Sequence, residues 1–242
     1  MDYDWDRLQD EIADWLKEYL VGSGADGFVL GVSGGLDSAV TAALAVRAVG
    51  AHSVLAVILP CHAEPLDARL AQQVIDALSM PSVTVSLNDA FDALMESLPP
   101  TGHRLAAANV KPRLRMTALY YLAQTHNYLV LGSGNKSELL VGYSTKHGDA
   151  GVDLLPLGDL YKTEVRQLAR ELGVPEQVVQ RAPSAGLWPG QTDEEELGIT
   201  YDRLDRALEA IISSETADGS ARLGSAPLGS APLTTGTTGT TG

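Results

Sequence analysis

Ser33-Gly34-Gly35-Leu36-Asp37-Ser38 is the segment with the most chemistry in its spacing. Phe28, Val29, Leu30 and Val32 before it read as a short buried strand. Ala39 to Val49 after it is mostly apolar and suits a helix. Strand, glycine turn and helix start together make a phosphate site. Adjacent glycines let the backbone approach an anion with no Cβ in the way. The helix start offers unpaired N–H groups and the positive end of its dipole, and Ser33 and Ser38 add hydroxyl donors. The segment is not a Walker loop, because Gly-Lys-Ser/Thr is missing. Asp37 stands in the lysine's place, and a carboxylate beside bound phosphate is repelled unless a cation lies between them. Asp37 therefore implies Mg²⁺, a hard ion that shares oxygen ligands with substrate phosphates. The bland alternative is a glycine-rich turn with a capping Asp or Ser.

The second half of the chain supplies further polar groups. Lys111-Pro112-Arg113-Leu114-Arg115 puts three cations in five residues, which suits an anionic ligand or a solvated helix face. Gly132-Ser133-Gly134-Asn135-Lys136-Ser137-Glu138 follows an apolar strand, Tyr128 to Leu131. In an open parallel sheet, ligands bind beyond the carboxyl ends of strands, where the strand order reverses. Asp37 and Glu138 are then two carboxylates available to one Mg²⁺, unless Glu138 is simply a first-turn acid favoured by the helix dipole. Residues 142–153 form a long loop carrying Lys146, His147, Asp149 and Asp153, anchored by Leu154-Leu155-Pro156-Leu157. Lys162 opens a helix against its dipole, so it needs another partner, such as a phosphate.

These groups need a scaffold, and the pattern provides one. Apolar runs at Ser53–Leu59 and Ser82–Leu87 alternate with helical stretches at Leu66–Leu78 and Asn88–Leu98. That alternation predicts an α/β fold, a doubly wound parallel sheet flanked by helices. Asp4–Val21 reads as an amphipathic helix that packs on the sheet or on another subunit. Leu105–Thr125 reads as one long helix kinked at Lys111-Pro112, and further helices are expected at Lys162–Leu172 and Asp202–Ile212. Residues 1–214 are expected to form one domain. Residues 215–242, with repeated Gly-Ser-Ala-Pro-Leu and Thr-Thr-Gly units, read as a flexible tail.

Composition narrows the function. The chain has 242 residues, 45% of them hydrophobic, and a formal net charge of −14, which disfavours a nucleic-acid partner. No stretch is long and apolar enough to span a membrane. Cys61 is the only cysteine, which excludes an internal disulfide and a cysteine metal site and suits a reducing cytoplasm. His52, His62, His103, His126 and His147 show no metal-ligand spacing.

The first loop resembles the pyrophosphate loop of the N-type ATP pyrophosphatases, a group with a Rossmann-like, adenine nucleotide alpha hydrolase-like fold. Together with Gly132–Glu138, Thr145-Lys146-His147-Gly148-Asp149, Leu155-Pro156-Leu157, Ala182-Pro183-Ser184-Ala185-Gly186-Leu187-Trp188 and Thr192-Asp193-Glu194-Glu195-Glu196-Leu197-Gly198, it resembles NAD⁺ synthetase. The resemblance implies a ligase that joins ammonia to nicotinic acid adenine dinucleotide (deamido-NAD⁺), with ATP cleaved to AMP and pyrophosphate through an adenylate. It implies an ATP site at Gly31, Val32, Ser33, Gly34, Gly35, Leu36, Asp37, Ser38, Ser133, Lys162 and Ser184. It places Mg²⁺ on Asp37 and Glu138, and deamido-NAD⁺ on Arg113, Lys146 and Asp153. Asp37 and Lys162 stabilise charge, and no residue serves as a general acid or base. Pro183 to Asp193 resembles a lid, with Thr192 and Glu195 expected as a capping box. The family also implies a cytoplasmic homodimer that takes free ammonia, since no glutaminase domain accompanies this unit. The chain departs from the family at its end, where a basic His-Lys segment is replaced by the repetitive tail. That departure leaves open a nucleotide-binding homologue impaired in catalysis, and the shared pyrophosphate loop leaves open another ATP-pyrophosphatase-type ligase or tRNA-modifying enzyme.

Overall fold

The computed structural model describes residues 4–188 and 190–217. The expected tail lies outside the described residues except for 215–217, as does Pro189 of the expected lid. In chain order the elements are α1 (Trp5–Ser23), β1 (Gly27–Gly31), α2 (Leu36–Val49), β2 (Val54–Ile58), α3 (Pro65–Leu78), β3 (Ser82–Thr84), α4 (Asn88–Ser97), α5 (Arg104–Ala108), α6 (Val110–His126), β4 (Tyr128–Leu131), α7 (Lys136–Val141), α8 (Lys162–Glu171), α9 (Glu176–Val179), α10 (Asp193–Leu197) and α11 (Tyr201–Ala217). Helix α11 therefore runs past the division expected after Ser214.

The four strands pair in parallel in the order β3-β2-β1-β4. Successive strands step outward from β1 and then cross back to β4, so the order reverses between β1 and β4. Strand alternation divides the core into two layers. Phe28, Leu30 and Val32 join Val54, Ala56 and Ile58 on one face, under α1, α2, α3, α8 and α9. Val29, Val57 and Val130 face the other way, against Leu119 and Ala123 of α6. Helices thus cover both faces, as the doubly wound reading requires. Leu16 and Leu20 of α1 are buried in the first layer, so this helix packs within the subunit.

Two sequence readings shift in detail. The helix expected from Leu105 to Thr125 is two helices divided at Asn109, not one kinked at Pro112. Pro112 falls in the first turn of α6, where its missing N–H is no loss. Strand β3 ends at Thr84, although Val85 and Leu87 still donate to the carbonyls of Ile58 and Pro60 at 2.9 and 2.8 Å.

Beyond β4 the chain returns to cover the sheet's edge. Leu154 bridges Leu131 in parallel. The Val130 N–H donates to Asp153 Oδ2 at 2.7 Å, and the Asp153 N–H donates back to the Val130 carbonyl at 3.0 Å. Among the described residues, no helix is long and apolar enough to cross a membrane.

Candidate active site

The switch between β1 and β4 opens into a cavity of about 590 Å³. Its lining includes Ser33, Asp37, Ser133, Glu138, Lys162 and Ser184 from the expected ATP and metal sets. Gly31, Val32, Gly35, Leu36 and Ser38 line it as well.

The glycine loop is built by its own hydroxyls. Ser33 N–H donates to Ser38 Oγ at 3.2 Å, Gly35 N–H donates to Ser33 Oγ at 3.2 Å, and the two hydroxyls lie 3.1 Å apart. Ser38 also donates to the Gly35 carbonyl at 3.1 Å. These hydroxyls, read from the sequence as phosphate donors, shape the turn. The two glycines differ. Gly34 has φ +76°, and a Cβ there would lie 2.5 Å from the Asp67 carbonyl of α3. Gly34 is thus required by a close approach of α3, and its neighbour Gly35 caps α2 and faces the cavity.

Lys162 is the centre of the charged cluster. It is 2% exposed, forms an ion pair with Asp37 Oδ2, and lies 3.3 Å from Glu138 Oε1. Asn135 orients both acids: its Nδ2 donates to Asp37 Oδ1 at 3.2 Å, and its backbone N–H donates to Glu138 Oε2 at 3.3 Å. Glu138 N–H returns a bond to Asn135 Oδ1 at 3.1 Å. One Glu138 oxygen therefore caps α7, as the first-turn reading has it, and the other faces Lys162. Burial, the largest influence, pushes the Glu138 carboxyl up to about 7 against the pull of Lys162. Burial also opposes the Lys162 charge, but Asp37 and then Glu138 more than restore it, holding the ammonium above the ordinary lysine range.

The sequence reading missed several members of this cluster. Asp193, 3% exposed at the start of α10, accepts from Tyr143 at 3.0 Å and from Tyr201 at 3.3 Å. Burial raises its pKa. The Tyr201 hydroxyl also reaches Glu138 Oε1 at 3.4 Å, and its ring lies 5.1 Å from the Lys162 ammonium. Arg181 forms an ion pair with Asp67 and donates to the Gly34 carbonyl at 3.2 Å, joining the glycine loop to the segment after α9. Asp193 and Tyr201 lay inside the quoted motifs or beside them, and only their burial sets them apart. Arg181 carries no local pattern.

From the segment resembling a lid, residues 183–187, Gln191 and Asp193 line the cavity. Lys111, 8% exposed, donates to the Leu187 carbonyl at 2.9 Å, and Arg104 lies 4.1 Å from the Trp188 ring centre. Lys111, read as one of three cations for an anion, instead holds this segment. Only half of the expected capping box forms: Thr192 accepts from Glu195 N–H at 3.3 Å, but Glu195 returns no bond.

Arg113, Lys146 and Asp153 are not part of the cavity lining, although their chain neighbours Pro112, Thr145 and Val152 are. Arg113 Nε donates to the Lys146 carbonyl at 3.2 Å, and both residues are exposed. Asp153 accepts from Tyr120 at 3.0 Å in addition to its edge bond with Val130. Cys61 is fully buried, with its thiol directed at the Leu87 carbonyl 3.8 Å away, and burial pushes its pKa up.

The family model described as NAD synthase matches residues 8–224. The NH(3)-dependent NAD(+) synthetase of Carboxydothermus hydrogenoformans is 46% identical over 227 residues, spanning 92% of this chain and 90% of that protein. Its counterpart from Archaeoglobus fulgidus is 48% identical over 216 residues, spanning 88% and 87%. The solved NMN synthetase from Francisella tularensis superposes with a TM-score of 0.83 at 38% identity, covering 86% of this chain and 87% of that one. Agreement over nearly the whole length, in sequence and in fold alike, means that this chain belongs to the NAD synthase family.

Proposed function

We propose that the chain makes NAD⁺ from deamido-NAD⁺, ATP and free ammonia, releasing AMP and pyrophosphate. The observation that carries this reading is one cavity wall holding the glycine loop, Asp37, Glu138 and the buried ammonium of Lys162. The nicotinate carboxylate attacks the α-phosphorus of ATP, and pyrophosphate leaves. Ammonia then attacks the acyl carbon and loses a proton, and AMP leaves with the carbon–oxygen electron pair. The first step brings an anion against an anion, so charge neutralisation and positioning supply most of the acceleration.

Each part of the wall then has a task. Residues Gly31 to Ser38 hold the phosphates, with Ser133 and Ser184 contacting ATP and Lys162 offsetting phosphate charge. Asp37 and Glu138 fit a hard cation, because they already share one in the ammonium of Lys162. They would hold Mg²⁺, which when bound neutralises the phosphates and orients them. Arg113, Lys146 and Asp153 hold the deamido-NAD⁺. The exposed rings of Trp15, Tyr19 and Tyr121 support a homodimer, which sedimentation velocity would detect.

A mass-spectrometric assay of a chain ending at Ala217 and of the full chain tests the reaction. NAD⁺, AMP and pyrophosphate should appear only when deamido-NAD⁺, ATP, Mg²⁺ and ammonium are all present, and EDTA should abolish them. Release of ADP, or no nucleotide turnover, would overturn the proposal. A second reading has the same chemistry acting on nicotinic acid mononucleotide. It is favoured by the likeness to a protein named NMN synthetase and by Arg113, Lys146 and Asp153 not being among the residues that line the cavity. Running both acids side by side separates the two.

A further inference from the structure

We propose that Lys162 is the protein's own stand-in for the metal. Its ammonium fills the gap between Asp37 and Glu138, so a divalent cation enters only together with the triphosphate that draws the lysine away. This rests on the ATP-binding reading above and concerns the order in which that site is filled.

The gap is oriented for a cation before any ligand arrives. Asn135 turns Asp37 with its amide and Glu138 with its backbone N–H, leaving one oxygen of each acid toward Lys162. The lysine's backbone is fixed, since its N–H donates to Ser137 Oγ at 2.9 Å. Only its side chain can swing. Asp193 adds a third carboxylate to the ammonium's surroundings, and both its oxygens are taken by tyrosine hydroxyls. A divalent ion arriving alone must displace a buried ammonium whose remaining anionic neighbour, Asp193, already accepts from two tyrosine hydroxyls. It would also find only two carboxylate oxygens of Asp37 and Glu138 facing the gap, and one of these already accepts from the Tyr201 hydroxyl. Among the described residues, no group of three or more His, Cys, Asp or Glu stands ready to hold a metal. A triphosphate in the cavity changes both conditions. It gives the ammonium a new anionic partner, and its oxygens complete the ion's shell, as hard cations with few protein ligands require.

The test uses Mn²⁺ as the probe, followed by water-proton relaxation at physiological ionic strength. D37N serves as the blank, so that only uptake at this site is counted. Wild-type protein should take up no Asp37-dependent Mn²⁺ from the metal alone. It should gain one such site when a non-hydrolysable ATP analogue is added, after correction for the analogue's own Mn²⁺ affinity. K162M should bind Mn²⁺ alone roughly tenfold or more tightly than wild type. Equal affinities in folded K162M and wild type would overturn the proposal. Should K162M fail to fold, the wild-type comparison decides: tight Asp37-dependent uptake without nucleotide, or none with it, overturns it. Because this readout needs no turnover, failure to form NAD⁺ would sink the proposed reaction and leave the metal result standing.

Discussion

Two neighbouring glycines should fail in different ways when each receives a methyl group. At Gly34 the new Cβ would lie 2.5 Å from the Asp67 carbonyl and 2.9 Å from Leu70 Cβ, and the backbone would keep φ at +76°. Forcing an L-residue into the left-handed region costs roughly 1–2 kcal/mol, and overpacking against a fixed backbone adds about 1–3 kcal/mol. G34A should therefore lose about 2–5 kcal/mol, or roughly 5–15 °C in Tm for a domain of this size. Gly35 has φ −95°, and its nearest atom would be Ser33 Oγ at 3.3 Å. G35A should cost about 1 kcal/mol or less in stability. Its methyl projects into the cavity, however, so affinity for an ATP analogue should fall roughly tenfold or more. Thermal melts and calorimetric titration of the two variants check both halves. If G34A melted within about 2 °C of wild type, or if G35A were the less stable, the division of labour would be refuted.

Three other outcomes are expected. The Glu138 carboxyl, lifted by burial from 4.5 to about 7, contributes its stability in full below the lower value and loses it as pH rises through the upper one. The ligand-free protein should lose Tm between about pH 4.5 and pH 7, E138Q should flatten that slope, and an unchanged slope would count against the assignment. Cys61, fully buried with a raised thiol pKa, should react with Ellman's reagent only on unfolding; rapid labelling of the folded protein would contradict its placement. K111M removes the donor to the Leu187 carbonyl, a charged hydrogen bond of about 1.5–3 kcal/mol. Cleavage by subtilisin within 183–188 should then quicken several-fold, and no change would mean that another contact holds the segment.

The fold was legible because strands buried on both faces write continuous apolar runs, and these runs alternated with helical stretches. The paired ends of β1 and β4 followed from the same rule, and with them the meeting of Asp37 and Glu138 in one wall; Lys162, expected to partner a phosphate, is found between these two acids. What escaped the sequence was long-range or depended on burial. Arg181 reaches Gly34 across the fold, and no local spacing foretells that contact. Lys111 looked like part of a basic cluster for an anion or a solvated helix face, but it donates inward to a backbone carbonyl. Asp193 reads as one acid among four successive acids, and only the two tyrosine hydroxyls distinguish it. Pro112 misplaced a helix break because a proline tolerated in a first turn looks the same in sequence as one that kinks a helix.

The covered border beside β4 has a consequence for how variants are interpreted. Exposed strand borders invite other chains to add on, and proteins block them with charges or a covering loop. Here the covering is a carboxylate that takes a strand N–H while its own N–H answers the same residue. Asp153 is also one of the residues proposed above to hold deamido-NAD⁺. Replacing it with alanine would unlock a template for aggregation as well as remove the proposed ligand contact. An inactive D153A preparation should accordingly be checked for light scattering before its loss of turnover is attributed to substrate.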